Sequence, residues 1–400
     1  MVKPITAMTH DTDIPQGYKA TALGVIPQKW EVKFLGDLLS RCTNGLTYDV
    51  SITCGIPVTR IETISTGEIN YAKVGYIPNE SGYETFRMQK GDILYSHINS
   101  LSQIGKVAYY KGDKEIYHGM NLLLLRANES LDKQYLYYTL LTDHMRHMAQ
   151  VIAKPAVNQA SISTGDLKRV KIAVPPLAEQ RKIAEVLGVW DKAIEKQARL
   201  IEKLALRKRA LMQRLLSAKL RLPGFSEPWK KVKLGDVAEL YQPQTIQSED
   251  LSQTGYPVYG ANGLIGYYNN YNHEYPQVVI TCRGSSCGTV NFTPGKCWIT
   301  GNAMVLNVDN NRDVNKSFFY YLISNSSFVN LISGSGQPQI VRQPLLKFEL
   351  RIPPLKEQTA IAEVLTAADR EIDLAKEKLE RLRRQKRGLM QQLLTGKKRI

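Results

Sequence analysis

One segment of this 400-residue chain occurs twice, and that repeat limits what the chain can fold into. The stretch IAVPPLAEQRKIAEVL from Ile172 returns as LRIPPLKEQTAIAEVL from Leu350, and the same offset then holds without a gap. Asp191 pairs with Asp369, Ile194 with Ile372 and Leu211 with Leu389. Near the end, RALMQRLLSAK (Arg209 to Lys219) matches RGLMQQLLTGK (Arg387 to Lys397). A second echo stands upstream of each copy: WEVKFLGD from Trp30 aligns with WKKVKLGD from Trp229. Self-similarity at this length means two copies of one plan: a lead-in strand, a variable globule and a long helix.

The helices follow from spacing. Each repeat opens on a proline pair, Pro175–Pro176 and Pro353–Pro354, which a first turn tolerates because its N–H groups have no intrahelical partner. Glu179 and Glu357 come next, where a carboxylate suits the positive end of the helix dipole. A seam with alternating steps of four and three then runs through Ile183, Leu187, Trp190, Ile194, Gln197, Ile201, Leu204, Lys208, Leu211 and Leu215. Its second copy is Ile361, Leu365, Ala368, Ile372, Ala375, Leu379, Leu382, Lys386, Leu389 and Leu393. Such a pattern is that of a coiled coil, and helices of about 40 residues would be roughly 60 Å long. Tethering in one chain favours pairing of the two helices with each other, although each could instead cap its own domain. An antiparallel pair would set Trp190 against small residues such as Ala368.

Between the helices, residues 222–228 (LPGFSEP) form a hinge into the second half. In the first globule, residues 91–95 predict a turn into a strand, 104–110 and 120–125 further strands, and 134–150 a helix. The second repeats the order loosely, with strands at 277–281, 288–292 and 303–308 and a helix at 317–324. Each globule is expected to be α+β, with strands outnumbering helices. The globules share layout but little sequence, whereas the helices share both. A frame duplicated around dissimilar globules suits a protein that reads two different targets.

Chemistry for turnover is missing from the sequence. No G-x-x-x-x-G-K-[ST] phosphate loop and no G-x-G-x-x-G opening a helix occurs; Gly334-Ser335-Gly336 reads as a turn. Neither proline pair sits in the Asp/Asn-Pro-Pro-Tyr/Phe run of amino-methyltransferases. Cys282, Cys287, Cys297 and His273 lack the CxxC spacing of a zinc site, and His144 with His147 has no third ligand. No metal is therefore expected. Five cysteines, an odd number in a long chain, speak against a disulfide framework. With no apolar run of membrane-spanning length and no signal-like segment within Met1 to Asp13, a cytoplasmic location is expected.

The charge points to a partner. Lys and Arg number 53 against 37 Asp and Glu, a formal net charge of +16, and a nucleic-acid backbone is the commonest acidic partner for such a chain. Phosphate contacts position a protein and base-edge contacts specify sequence. Candidate readers are His97, Asn99, Ser100, Gln103 and Lys106 in the first globule. In the second they are Arg283, Ser285, Ser286, Asn302, Gln337 and Arg342. Asn and Gln can pair bidentately with adenine and Arg with guanine, and 21 Tyr against 8 Phe suits a wet interface. Arg381, Arg383, Arg384, Lys386 and Arg387, with Lys397, Lys398 and Arg399, form either a second basic surface or a solvated helix face.

The paired helices, each closing on L-M-Q-x-L-L, resemble those of the specificity (S) subunit of Type I restriction-modification systems, and the likeness covers nearly the whole chain. The resemblance implies an α+β fold of two target recognition domains separated by two long helices in an antiparallel coiled coil, a pseudo-two-fold internal repeat. It implies an N-terminal extension (1–25), recognition domains at 26–171 and 222–349, and spacer helices within 172–221 and 350–400. Each domain would read one half of a bipartite double-stranded DNA site. The coiled coil would set the unread spacer and dock two methyltransferase subunits, with restriction subunits joining the complex. No cofactor would be bound by this chain; S-adenosylmethionine, ATP and Mg would belong to the partners. The rival from another class is a coiled-coil adaptor without sequence-specific DNA recognition, and a self-sufficient DNA-modifying enzyme is a weaker one.

Overall fold

The computed structural model describes residues 14–156, 159–260, 262–334 and 336–400. Residues 1–13 of the expected N-terminal extension and Ser335 of the expected Gly-Ser-Gly turn lie outside the described residues. The chain divides into two compact units, one reaching to Lys196 and including Leu379–Ile400, the other Gln197–Lys378.

The first unit is built on a four-stranded antiparallel sheet, in the order Leu39–Asn44, Leu123–Ala127, Ile93–Tyr95, Val107–Tyr109. Its central strand is apolar on both faces. Leu123 and Leu125 enter the core beneath the helices, while Leu122 and Leu124 enter a smaller core with Ile64, Met88, Leu94 and Ala108. Burial on both sides is why this strand reads as an unbroken leucine run rather than an alternation. Helix α1 (Lys133–Leu140) is capped by Asp132, whose carboxylate accepts from the N–H groups of Gln134 and Tyr135. Helix α2 (Asp143–Ile152) starts afresh at Thr142. The single helix expected over 134–150 is therefore two, because the Thr142 hydroxyl donates to Thr139 O (2.7 Å) and accepts from Met145 N–H, closing one helix and capping the next. Likewise Ile104 and Gly105 form a turn, Gly105 at φ +79°, and the strand begins only at Val107.

Helix α3 (Thr164–Lys168) leads to the strand Lys171–Val174, which pairs with Glu31–Phe34. Helix α4 (Leu177–Leu215) follows. The second unit repeats each step. The strand Lys230–Lys233 pairs with Glu349–Ile352 and runs into the short helix α5 (Leu234–Val237). The four-stranded sheet has the same order: Glu239–Tyr241, Ala303–Asn307, Val278–Thr281, Val290–Phe292. Val278, Ile280, Met304 and Leu306 fill one face, and Val279, Ala303 and Val305 the other. Helix α6 (Lys316–Ser324), capped by Asn315, stands where α1 stands. Helix α7 (Arg342–Leu346) and helix α8 (Leu355–Leu394) complete the plan. The WxxxxLGD echoes are thus the strands that clasp the chain ahead of each long helix.

The proline pairs sit one step earlier than a first-turn reading places them. The carbonyls of Pro176 and Pro354 accept the first helical bonds, from Glu179 and Gln180 and from Glu357 and Gln358, so each second proline is the cap. The two long helices pack antiparallel. In the first unit Lys386 lies on Asp191 and Arg399 on Glu179. In the second, Lys208 lies on Asp369, Arg221 on Glu357, and the buried Gln197 donates to Ala375 O (3.0 Å). Every seam position of both helices is buried or half-buried. This register sets Trp190, next to Asp191, against the stretch around Lys386. Ala368, next to Asp369, belongs with the stretch around Lys208, so the expected pairing of Trp190 with Ala368 does not occur.

Candidate nucleic-acid interface

In the second unit, main-chain bonds and one side-chain bond gather four sequence-distant loops at one end of the sheet. Cys282 N–H donates to Asn302 O (3.2 Å), Gly284 N–H to Pro338 O (3.0 Å) and Ile340 N–H to Cys282 O (2.9 Å). Arg283 is bridged antiparallel to Gln339. Gln242 Nε2 donates to Gly301 O (3.1 Å), and Thr300 N–H to Tyr259 O (3.0 Å). Arg283, Ser285, Asn302, Gln337 and Arg342 are exposed and Ser286 half-buried. Among the described residues neither Arg283 nor Arg342 has an ion-pair partner, so both guanidinium groups keep their donors for an acceptor from outside. The arrangement offers a polar, cationic face with Arg, Asn, Gln and Ser side chains, the donor and acceptor set that base edges and phosphates require.

The first unit holds its corresponding loops with the same bonds. Ile162 N–H donates to His97 O (2.8 Å) as Ile340 does to Cys282, and Gly105 N–H to Ser96 O (2.8 Å) as Gly288 does to Thr281 (2.9 Å). Asn99 pairs in register with Ala160. Ser100 is exposed, and Asn99, Gln103 and Lys106 are half-buried. Asn99 is held by its own loop, donating to Ser96 Oγ (3.2 Å) and accepting from Ser100 N–H (2.8 Å). Lys106 Nζ donates to Ser65 O (2.8 Å) and so ties two loops together. His97 differs from the other candidates. Its ring is buried, 5% exposed, Nδ1 has no partner, and burial lowers its pKa. His97 packs the base of the loop, and the loop's surface is left to Asn99, Ser100 and Gln103.

What carries these faces is repeated side chain for side chain. Gln180 Oε1 accepts from Asp132 N–H (2.8 Å) while its amide donates to Pro175 O (2.9 Å) and Ser130 O (3.2 Å). Gln358 does the same with Asn315 N–H (2.9 Å), Pro353 O (2.9 Å) and Asp313 O (2.9 Å). Each glutamine is 1% exposed, so its amide fastens the capping residue of α1 or α6 to the start of a long helix. One helical stretch further, Tyr138 donates to Asp191 (2.7 Å), which also receives Lys386 (2.6 Å). Tyr321 donates to Asp369 (2.7 Å), which receives Lys208 (2.5 Å). Burial and the neighbouring carboxylate hold the Tyr138 phenol well above its ordinary pKa. The glutamines lie within the repeated PLxEQ motif and the lysines at matching seam positions, but their partners come from elements that no local pattern links to them.

Among the described residues no group of three or more His, Cys, Asp or Glu side chains could hold a metal ion, and no helix is long and apolar enough to cross a membrane. Both ring nitrogens of His273 are engaged away from the cysteine thiols: Nδ1–H donates to Asn272 Oδ1 (2.6 Å) and Nε2 accepts from the Tyr241 hydroxyl (2.9 Å). Cys282 and Cys297 are buried and unpaired, and burial together with Cys287 pushes the Cys282 thiol up to about 11.

Comparison with known proteins bears on both faces. The sequence profile described as Type I restriction modification DNA specificity domain matches twice, over residues 27–205 and 226–384. A protein of Methanocaldococcus jannaschii described as a type I restriction enzyme MjaX specificity subunit is 34% identical, over 96% of this chain and 97% of that one. The type I restriction enzyme MjaVIII specificity subunit of the same organism is 23% identical, over 94% of each. Among solved structures, the Type-I restriction-modification system S subunit from M. genitalium shares the fold, with a TM-score of 0.59 and 20% identity over 91% of this chain and 96% of that one.

Proposed function

Because the chain belongs to the family of type I restriction-modification DNA specificity domains and carries that domain twice, we propose that each unit reads one half of a bipartite double-stranded DNA site. The observation that carries this reading is a constant frame around variable loops. The order of the four-stranded sheet, the glutamine clamp and the Tyr-Asp-Lys contact are the same in both units, while the loops they present differ residue by residue. Asn99, Ser100 and Gln103 would read in the first unit, and Arg283, Ser285, Asn302, Gln337 and Arg342 in the second, with Lys106 and Ser286 holding loop shape. The net charge of +16 supplies the phosphate attraction that registers the protein on the duplex.

The antiparallel helices then act as the ruler that fixes the unread spacer, and their outer faces dock two methyltransferase subunits, which restriction subunits join. Catalysis and its cofactors, S-adenosylmethionine and ATP with Mg, belong to those partners. The target adenine would be turned out of the stack into a partner's pocket. The relatives' descriptions favour this over an adaptor that meets DNA incidentally.

Long-read sequencing of the host genome, with and without this chain, tests the reading. Methylated adenines at one two-part sequence should vanish when the chain is deleted. An unchanged methylation pattern would contradict it.

A further inference from the structure

The second unit carries an exposed aliphatic pair on a strand next to its candidate reading loops. Leu264 and Ile265 are each 51% exposed, near the start of the strand Gly263–Tyr268. Neighbours in a regular strand point to opposite faces, but here the ladder is irregular. Tyr259 is paired with Leu264 and Val258 with Gly266, which leaves Ile265 as an extra residue, a bulge. Bulges re-aim side chains. The space Ile265 takes is provided by Gly260: a Cβ added there would come within 2.9 Å of Ile265 Cγ2. The place of Ile265 is therefore built into both strands.

Its position is continuous with the candidate reading face. The partner strand Tyr256–Gly260 runs parallel to Trp298–Ile299, and Tyr259 O accepts from Thr300 N–H, two residues from Asn302. Asn302 O in turn accepts from Cys282, at the root of the Arg283–Ser286 loop. An exposed aliphatic pair on a strand tied through its main chain to the loops that carry Asn302 and Arg283 has the chemistry of a wedge. Apolar side chains pushed between base steps unstack them, and the surrounding polar groups hold the distorted duplex.

We propose that Leu264 and Ile265 form an apolar wedge that enters a base step of the duplex read by the second unit, loosening the stack there. This rests on the DNA-reading role argued above. Burial of the pair against bases would account for the half-exposed aliphatics, and the distortion would lower the cost of turning out a nearby base.

The test uses the full chain assembled with its methyltransferase subunits, and duplexes carrying the sequence that the host methylation pattern defines. Binding of the wild type and of the Leu264→Ser/Ile265→Ser double variant is measured on the intact duplex. It is then measured on duplexes with one abasic site moved step by step through the second half-site. The variant should bind the intact duplex about tenfold more weakly, and an abasic site at one step should restore most of that loss. Equal weakening on every duplex would make the pair an ordinary contact and overturn the wedge. So would unchanged binding, or a loss traced to failed assembly with the methyltransferase. The last three results leave sequence-selective binding by the wild type intact, whereas a wild type that does not discriminate sequences removes the reading and the wedge with it.

Discussion

Lys386 Nζ lies 2.6 Å from Asp191 Oδ1 across the two long helices, and the other oxygen of the same carboxylate takes the hydroxyl of Tyr138. One acid thus fastens a helix of the recognition domain to both long helices at once. The same arrangement recurs at Asp369 with Lys208 and Tyr321. The lysines also lie over the rings they share the acid with, 5.0 Å from Tyr138 and 5.2 Å from Tyr321. A charged residue on an apolar seam costs stability and gives register, so the lysines act here as register pins.

Replacing Asp191 by Ala strands a lysine that is only 13% exposed. The first unit should lose about 2 kcal/mol in denaturant unfolding. Adding Lys386→Met to that variant should recover most of the loss, because an apolar side chain then fills the seam. A double variant as unstable as the single would remove the pin.

Gln180→Ala and Gln358→Ala should be the more damaging changes to their units. Each removes three hydrogen bonds from a buried site and leaves capping N–H and proline carbonyl groups unpaired, a loss of about 3 kcal/mol. Hydrogen exchange checks the mechanism: protection should fall first at α1 in the Gln180 variant and at α6 in the Gln358 variant.

Acid should weaken the first unit through its buried histidines. Burial lowers the His118 pKa to about 4, against the favourable bond of its Nε2 with Leu122 O, and burial lowers His97 as well. The unfolded chain takes up these protons near pH 6.5 and the folded one does not. The stabilisation is therefore full above pH 6.5 and drains away as pH falls towards 4, by on the order of 3 kcal/mol for His118. Melting temperature measured across this window should drop with a midpoint below 6, and His118→Gln should flatten the limb.

Removing four residues from each long helix together, with the seam kept near register, should shorten the strut by about 6 Å. The unread spacer in the methylated sequence should then shrink by about two base pairs. A spacer of unchanged length would dismiss the helices as a ruler.

Much of this molecule was legible in its sequence because its largest features are local. The seam positions follow from the spacing of residues such as Leu187, Ile194 and Leu204 within one helix. The central strands show as apolar runs because both their faces are buried. Non-local features were not legible. A hydroxyl at Thr142 divides one expected helix into two, and only the structure shows it turning back to Thr139. The register that separates Trp190 from Ala368 depends on ion pairs between segments far apart in the chain. The same holds for the loop cluster: Asn302 and Pro338 meet Arg283's loop through main-chain bonds that composition does not encode. His97 has the residue type of a base reader but is buried, and type alone does not tell an interior imidazole from an exposed one.

The measurement closest to the central claim exchanges residues Leu222 to Glu349 for the equivalent segment of a relative with a different target, followed by long-read mapping of methylated adenines. One half of the two-part sequence should change to the donor's while the other half stays as it was. Change in both halves, or in neither, would contradict two independent readers on one frame.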